Sequence, residues 1–163
     1  MRQTEIENIK KFTNALFAGN VFDSFCVTEA SFSTLIDITI DGHVNPDFGR
    51  DKEKAEEEAP ETAEKIVRWQ YIRPLCYEAI KGDKPPVRFK IVFMTPPDKA
   101  AGFAAKHGLK FRESDIAGLF MNIRFEGGKM YCVSGTSLKT FSLDKSLENA
   151  WDESVETFLK KFA

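Results

Sequence analysis

The chain is poor in the residues that most often declare a chemistry. It has two histidines and three cysteines in 163 residues. Two histidines exclude a His-rich metal site. No C-x-x-C pair is present, and neither is a G-x-x-x-x-G-K-S/T phosphate loop, a G-x-G-x-x-G turn, an H-E-x-x-H helix or a G-x-S-x-G elbow. These absences remove the zinc ribbons, the P-loop and dinucleotide folds, the zincins and the α/β-hydrolases. Cys26, Cys76 and Cys132 are odd in number, widely spaced and each set in an apolar pattern. That is the usage of reduced, buried thiols and predicts a cytoplasmic protein. No apolar run approaches the ~20 residues needed to span a bilayer. Residues 1–11 are polar and mixed in charge, so no charged-then-apolar leader is expected. The sequence therefore predicts no membrane association and implies no cofactor and no metal.

What the chain has in plenty is apolar bulk. Hydrophobic residues make up 42% and include 15 phenylalanines. A domain near this size buries about 68–70% of the surface its unfolded chain exposes. One domain over 1–163 with a full core is the expectation. The net charge is −2, unevenly spread: residues 51–64 hold seven acids against two lysines, a net of −5. With Asn45-Pro46 and Phe48-Gly49 before it, this stretch predicts a flexible acidic loop over about 44–61. A solvated loop is favoured over an acidic docking segment.

Periodicity places the elements. The 118–162 stretch reads strand, tight turn, strand, short strand, long helix. Gly127-Gly128 suits a two-residue type I′ turn, in which both positions take positive φ. Pairing outward sets Phe125 opposite Met130, Ile123 opposite Cys132 and Met121 opposite Ser134 on an apolar face, with Arg124 opposite Tyr131 and Asn122 opposite Val133 on the other. The apolar stripe Leu147, Ala150, Trp151, Val155, Phe158, Leu159 and Phe162 predicts the helix, capped by Asp144. Upstream, a helix is expected over 5–18 with Thr4 as cap, 1–5 being alternatively an extended lead-in. Strands over 22–29 and 32–41 form a hairpin turning at Ala30-Ser31. A helix lies within 62–80; at Pro74 it is either kinked or, the preferred reading, divided into two pieces that meet near Arg73. A strand covers 87–94, able to join either hairpin. A short helix follows, started by Thr95-Pro96-Pro97-Asp98 and ended by Gly108. Helices between sequential strand pairs define an α+β fold: a mostly antiparallel sheet built from hairpins, with three to four helices packed on it.

Three segments, 32–42 (FSTLIDITIDG), 80–93 (IKGDKPPVRFKIVF) and 118–153 (GLFMNIRFEGGKMYCVSGTSLKTFSLDKSLENAWDE), resemble a family of small single-domain bacterial proteins of unknown function. The resemblance spans nearly the whole chain, and its most distinctive run is GTSLKTFSLDKSLENAWDE. It implies a bacterial origin, a single domain and a cytoplasmic setting. It carries no activity, cofactor or site residue.

Four clusters could carry chemistry. Asp37, Thr39, Asp41 and His43 alternate along one strand and its exit, about 7 Å apart in steps of two. Two carboxylates and an imidazole could bind a divalent cation or act as acid and base in a small metal-dependent hydrolase. Arg88, Lys90, Arg124, Tyr131 and Lys139 come from strand faces opposite the apolar ones and form a basic patch if their strands are neighbours. Such a patch suits an anionic ligand; for nucleic acid the acidic balance of the chain is unfavourable. For both clusters the simpler reading is the solvated side of an antiparallel sheet. Gly135-Thr136-Ser137 offers amides and hydroxyls to an anion, although such triplets more often bend a strand. Ser142 and Lys145 match S-x-x-K, but the companion S-D-N and K-T-G motifs are missing, and helix capping accounts for Ser142 and Asp144. The reading that needs no motif is a non-enzymatic binding or interaction module, meeting a protein partner or an anionic ligand through an exposed polar sheet face.

Overall fold

The computed structural model describes residues 1–48 and 65–163. Six strands form one sheet: β1 (Gln3–Glu5), β2 (Cys26–Ser33), β3 (Asp37–Asp41), β4 (Arg88–Met94), β5 (Ile116–Glu126) and β6 (Lys129–Leu138). Their order is β1-β6-β5-β4-β2-β3, and every pairing is antiparallel. Four helices, α1 (Ile9–Phe17), α2 (Trp69–Ile80), α3 (Pro97–Lys106) and α4 (Ser146–Leu159), complete an α+β fold. The expected acidic run at 51–64 lies outside the described residues.

The β5–β6 hairpin follows from two glycines. Gly127 and Gly128 take φ of 61° and 75°, which a side chain would strain. The register runs outward from them as the alternation demands, with Phe125, Ile123 and Met121 opposite Met130, Cys132 and Ser134. β6 continues unbroken through Gly135, Thr136 and Ser137, where a bend and a separate short strand were expected. Those residues pair with Phe120, Leu119 and Gly118, so an eleven-residue β5 holds them in the ladder. β4 joins both hairpins, lying between β5 and β2.

Other boundaries differ from the sequence expectation for identifiable reasons. β2 runs straight through Ala30-Ser31, because Ala30 and Phe32 keep the inward alternation; the hairpin turns at residues 34–36 instead. Leu35, which breaks the alternation, is the fully exposed tip of that turn. Residues 3–5 are the extended lead-in rather than helix, since pairing with β6 supplies their hydrogen bonds and seats Ile6 in the core. α1 is capped by Asn8, whose side-chain oxygen accepts the Lys11 N–H at 3.1 Å. α2 is one helix with Pro74 inside it. Pro74 and Gln70 sit on the exposed side, so the carbonyl that loses its partner can be served by water.

The inward sheet face and the apolar stripes of the helices enclose one core. Phe12, Phe22, Phe32, Trp69 and Phe93 are fully buried within it. Phe22 stacks on Phe93 at 4.9 Å, and Phe103 of α3 meets Trp151 of α4 edge-on at 5.4 Å. The polar exception is Ser134, whose hydroxyl donates to the buried Asp152 carboxylate at 2.5 Å. All three cysteines are free and buried. Burial pushes the Cys76 and Cys132 thiols up to about 12 from an ordinary 9.0. An aromatic disulfide reagent at pH 8 should therefore label no thiol in the native protein and three after denaturation. Because the folded state holds these protons more tightly, the stability these two thiols contribute is complete well below pH 9.0 and is lost as pH rises from there towards about 12. Urea midpoints measured between pH 8 and 11 check this; a flat profile would contradict it.

Candidate functional site

The second face of the sheet is lined mostly by polar side chains. Alternation puts one residue in two from each strand there, and antiparallel pairing arranges them in rungs across the strands. One rung reads Lys129, Glu126, Arg88, Ser33, Asp37. The next reads Glu5, Tyr131, Arg124, Lys90, Ser31, Thr39. A third reads Gln3, Val133, Asn122, Val92, Glu29, Asp41. Every one of these side chains is at least partly exposed, whereas Ala30, Phe32, Phe89, Ile91, Ile123 and Cys132 on the opposite face are buried.

The first two rungs border a shallow concavity of about 370 Å³, spread over β3, β2, β4 and β5. Arg88, Lys90 and Arg124 stand together in it, with Ser31 and Ser33 directly opposite Lys90 and Arg88. Lys90 faces Arg124 across the strand pair, a like-charge neighbour that weakens a sheet. Lys90 leans to Glu29 at 3.8 Å. Arg88 and Arg124 make no ion pair among the described residues, although Glu126 is directly across from Arg88. Two guanidinium groups are thus left with their donors turned to solvent.

The remaining sequence candidates are placed apart. Tyr131 is next to Arg124 on its rung but outside the concavity. Lys139 follows the end of β6, where its N–H donates to the Asp115 carbonyl at 2.9 Å, and borders a different hollow beside the start of α4. Asp37 belongs to the concavity, but Asp41 is four residues along β3, some 13 Å at strand rise. Asp41 and His43 form a pair of their own, Oδ1 to Nδ1 at 2.6 Å, and the His43 N–H donates to the same oxygen at 2.9 Å. The backbone bond first, then the imidazole, holds the Asp41 carboxyl below its usual range. Asp37, Asp41 and His43 therefore do not converge. Among the described residues no group of three or more His, Cys, Asp or Glu side chains is placed to hold a metal ion. Ser142 accepts the Asp144 N–H, Asp144 accepts the Ser146 N–H, and Lys145 pairs with Glu148 at 3.5 Å; the S-x-x-K run is occupied in starting α4.

Ser31, Ser33 and Glu126 are members of the concavity that motif reasoning passed over. The outward alternation of Ser31 and Ser33 against Ala30 and Phe32 is the signal that would have found two of them. Placing the turn at Ala30-Ser31 hid it.

With the geometry in hand, comparison with known proteins adds one match. A family described as a family of unknown function, DUF5721, matches residues 15–163. The chain belongs to DUF5721. The match takes in β2 to β6, α2 to α4 and the last three residues of α1, so the concave face belongs to the DUF5721 domain itself. No curated protein and no solved structure matches the chain. Among the described residues no helix is long and apolar enough to cross a membrane.

Proposed function

We propose that this DUF5721 protein is a non-enzymatic binding module that takes a small anionic ligand on its polar sheet face, held by Arg88, Lys90 and Arg124. The observation that carries the reading is the direct opposition of Lys90 and Arg124 inside a concavity, with Arg88 and Arg124 making no ion pair among the described residues. Like charges placed directly opposite cost a sheet stability, and an anion seated between them reverses the sign of that cost. Tyr131 and Lys139 are peripheral to this site and contribute little to it. The cytoplasmic setting is supported by three free, buried thiols. A bacterial origin rests on the resemblance of the three sequence segments quoted above.

An amide-resolved NMR titration with inorganic phosphate at low salt tests the reading. Signals of Ser31, Ser33, Arg88, Lys90 and Arg124 should move together and saturate. Arg124→Ala should weaken the binding about tenfold, the value of one charge-assisted hydrogen bond. As an exposed substitution it should change stability by no more than about 0.5 kcal/mol. Raising the salt to 0.5 M should weaken the binding through screening. Shifts scattered over the surface, or unaffected by Arg124→Ala, would remove the site.

A further inference from the structure

Resting on that anion site, the flanks of the concavity narrow the ligand further. Arg88 and Lys90 stand on β4 and Arg124 beside them on β5, and a carboxylate closes the first rung at either end of the concavity: Asp37 on β3 and Glu126 on β5, three strand spacings or about 14 Å apart. We infer that the ligand is a phosphorylated polyol of sugar-phosphate size, its phosphate on Arg88, Lys90 and Arg124 and its hydroxyls donating to Asp37 and Glu126.

Three features of the site converge on that class. First, a carboxylate on each side repels a second anionic group, so a chain of phosphates is disfavoured and a single one fits. Ionised carboxylates only accept hydrogen bonds, so the ligand must offer them hydroxyl donors beside its phosphate. Second, the remaining polar lining is hydroxyl: Ser31, Ser33 and Thr39 can each donate or accept, which suits a ring of hydroxyls. Third, no aromatic platform is present among the described residues. Phe32 and Phe89 border the concavity only from behind, their side chains being buried in the core, and Tyr131 lies outside it. A nucleobase would have nothing to stack on, whereas a saturated polyol needs nothing of the kind. The volume of about 370 Å³ falls within the range of about 300–1,000 Å³ usual for small-molecule sites.

Calorimetric titrations with inorganic phosphate, glucose, glucose 6-phosphate, phosphoethanolamine and AMP, each at low salt, test this. Glucose 6-phosphate should bind at least about tenfold tighter than phosphate, glucose or AMP. The double variant Asp37→Asn, Glu126→Gln should bring glucose 6-phosphate down to the affinity of phosphate while leaving phosphate itself bound as well or better. Both residues are exposed and the replacements isosteric, so folding should not confuse the result; circular dichroism melts confirm it. Equal affinity for phosphate and glucose 6-phosphate, tighter binding of AMP or phosphoethanolamine, or no effect of the double variant would overturn the polyol class while leaving the anion site standing. Failure of every phosphorylated probe would overturn the anion site as well.

Discussion

Trp69→Ala is expected to leave the protein largely unfolded at room temperature. Trp69 is the largest fully buried side chain and meets Phe17 and Phe93 edge-on at 5.8 and 5.4 Å. It joins the start of α2 to the end of α1 and to β4. Truncating a buried Trp typically costs about 3–5 kcal/mol through lost transfer energy and the cavity left behind. A second loss comes with it. The indole N–H donates to the Leu16 carbonyl at 2.7 Å, and that carbonyl belongs to the last turn of α1, where no helical partner exists. Leaving it buried and unpaired adds about 1–3 kcal/mol. Together these approach the whole stability of an ordinary domain, about 5–15 kcal/mol. Trp69→Phe separates the two terms, since it keeps most of the apolar volume and loses the hydrogen bond. Urea denaturation should rank the variants wild type, Trp69→Phe, Trp69→Ala. If Trp69→Phe matched the wild type, the Leu16 contact would carry no weight.

The same residue shows where sequence reading succeeds and where it stops. Trp69 is recognisable as core from its helical spacing with Ile72 and Cys76, yet nothing in that spacing names Leu16, 53 positions away, as its partner. Local alternation and turn chemistry were enough for the β5–β6 register, because Gly127-Gly128 suit a two-residue turn with positive φ at both positions and one apolar face must point inward. They were not enough at Ala30-Ser31. Small residues there suited a turn, while the choice was made by the long-range pairing of Ser31 with Lys90 and Ser33 with Arg88. At Pro74 a local cost suggested a break, and tertiary packing of Trp69 and Cys76 on the core kept one helix. The candidate site divides in the same way. Outward-facing Arg88, Lys90 and Arg124 follow from alternation alone. Their meeting follows from β4 lying between the two hairpins, which local pattern left open. Asp37 joined them and separated from Asp41 for an equally simple reason: side chains on one edge strand stay about 7 Å apart per step, whereas neighbours across strands are about 5 Å apart.

Gly42→Ala should be the most damaging change of a single methyl group in the described chain. A Cβ at Gly42 would lie 1.6 Å from the Val27 carbonyl oxygen and 2.7 Å from its carbon. These are backbone atoms, so no side chain can swing away. Three backbone segments meet at this point. The Gly42 N–H donates to Thr28 at 3.0 Å, the Val67 N–H donates to Gly42 at 2.8 Å, and the Val27 N–H donates to Val67 at 2.8 Å. The register shift between Val27 and Glu29 lies in the same place. The ladder closes around residue 42 so tightly because that residue has no side chain. Gly42 has no positive φ, so the demand comes from close approach and not from backbone conformation. Overpacking usually costs about 1–3 kcal/mol, and a clash with fixed backbone belongs at or above the top of that range. Gly102 supplies the control. It sits mid-way along α3, exposed, with no neighbouring atom within 4 Å of where an alanine methyl would stand. There the same change removes a helix-interior glycine and should stabilise by about 0.5–1 kcal/mol. Urea midpoints of Gly42→Ala and Gly102→Ala should therefore move in opposite directions from the wild type. A Gly42→Ala variant as stable as wild type would mean that the junction of residues 26–28, 42 and 66–68 is looser than its hydrogen bonds indicate. The end of β3, with the Asp41–His43 pair beside it, would then not be held as described.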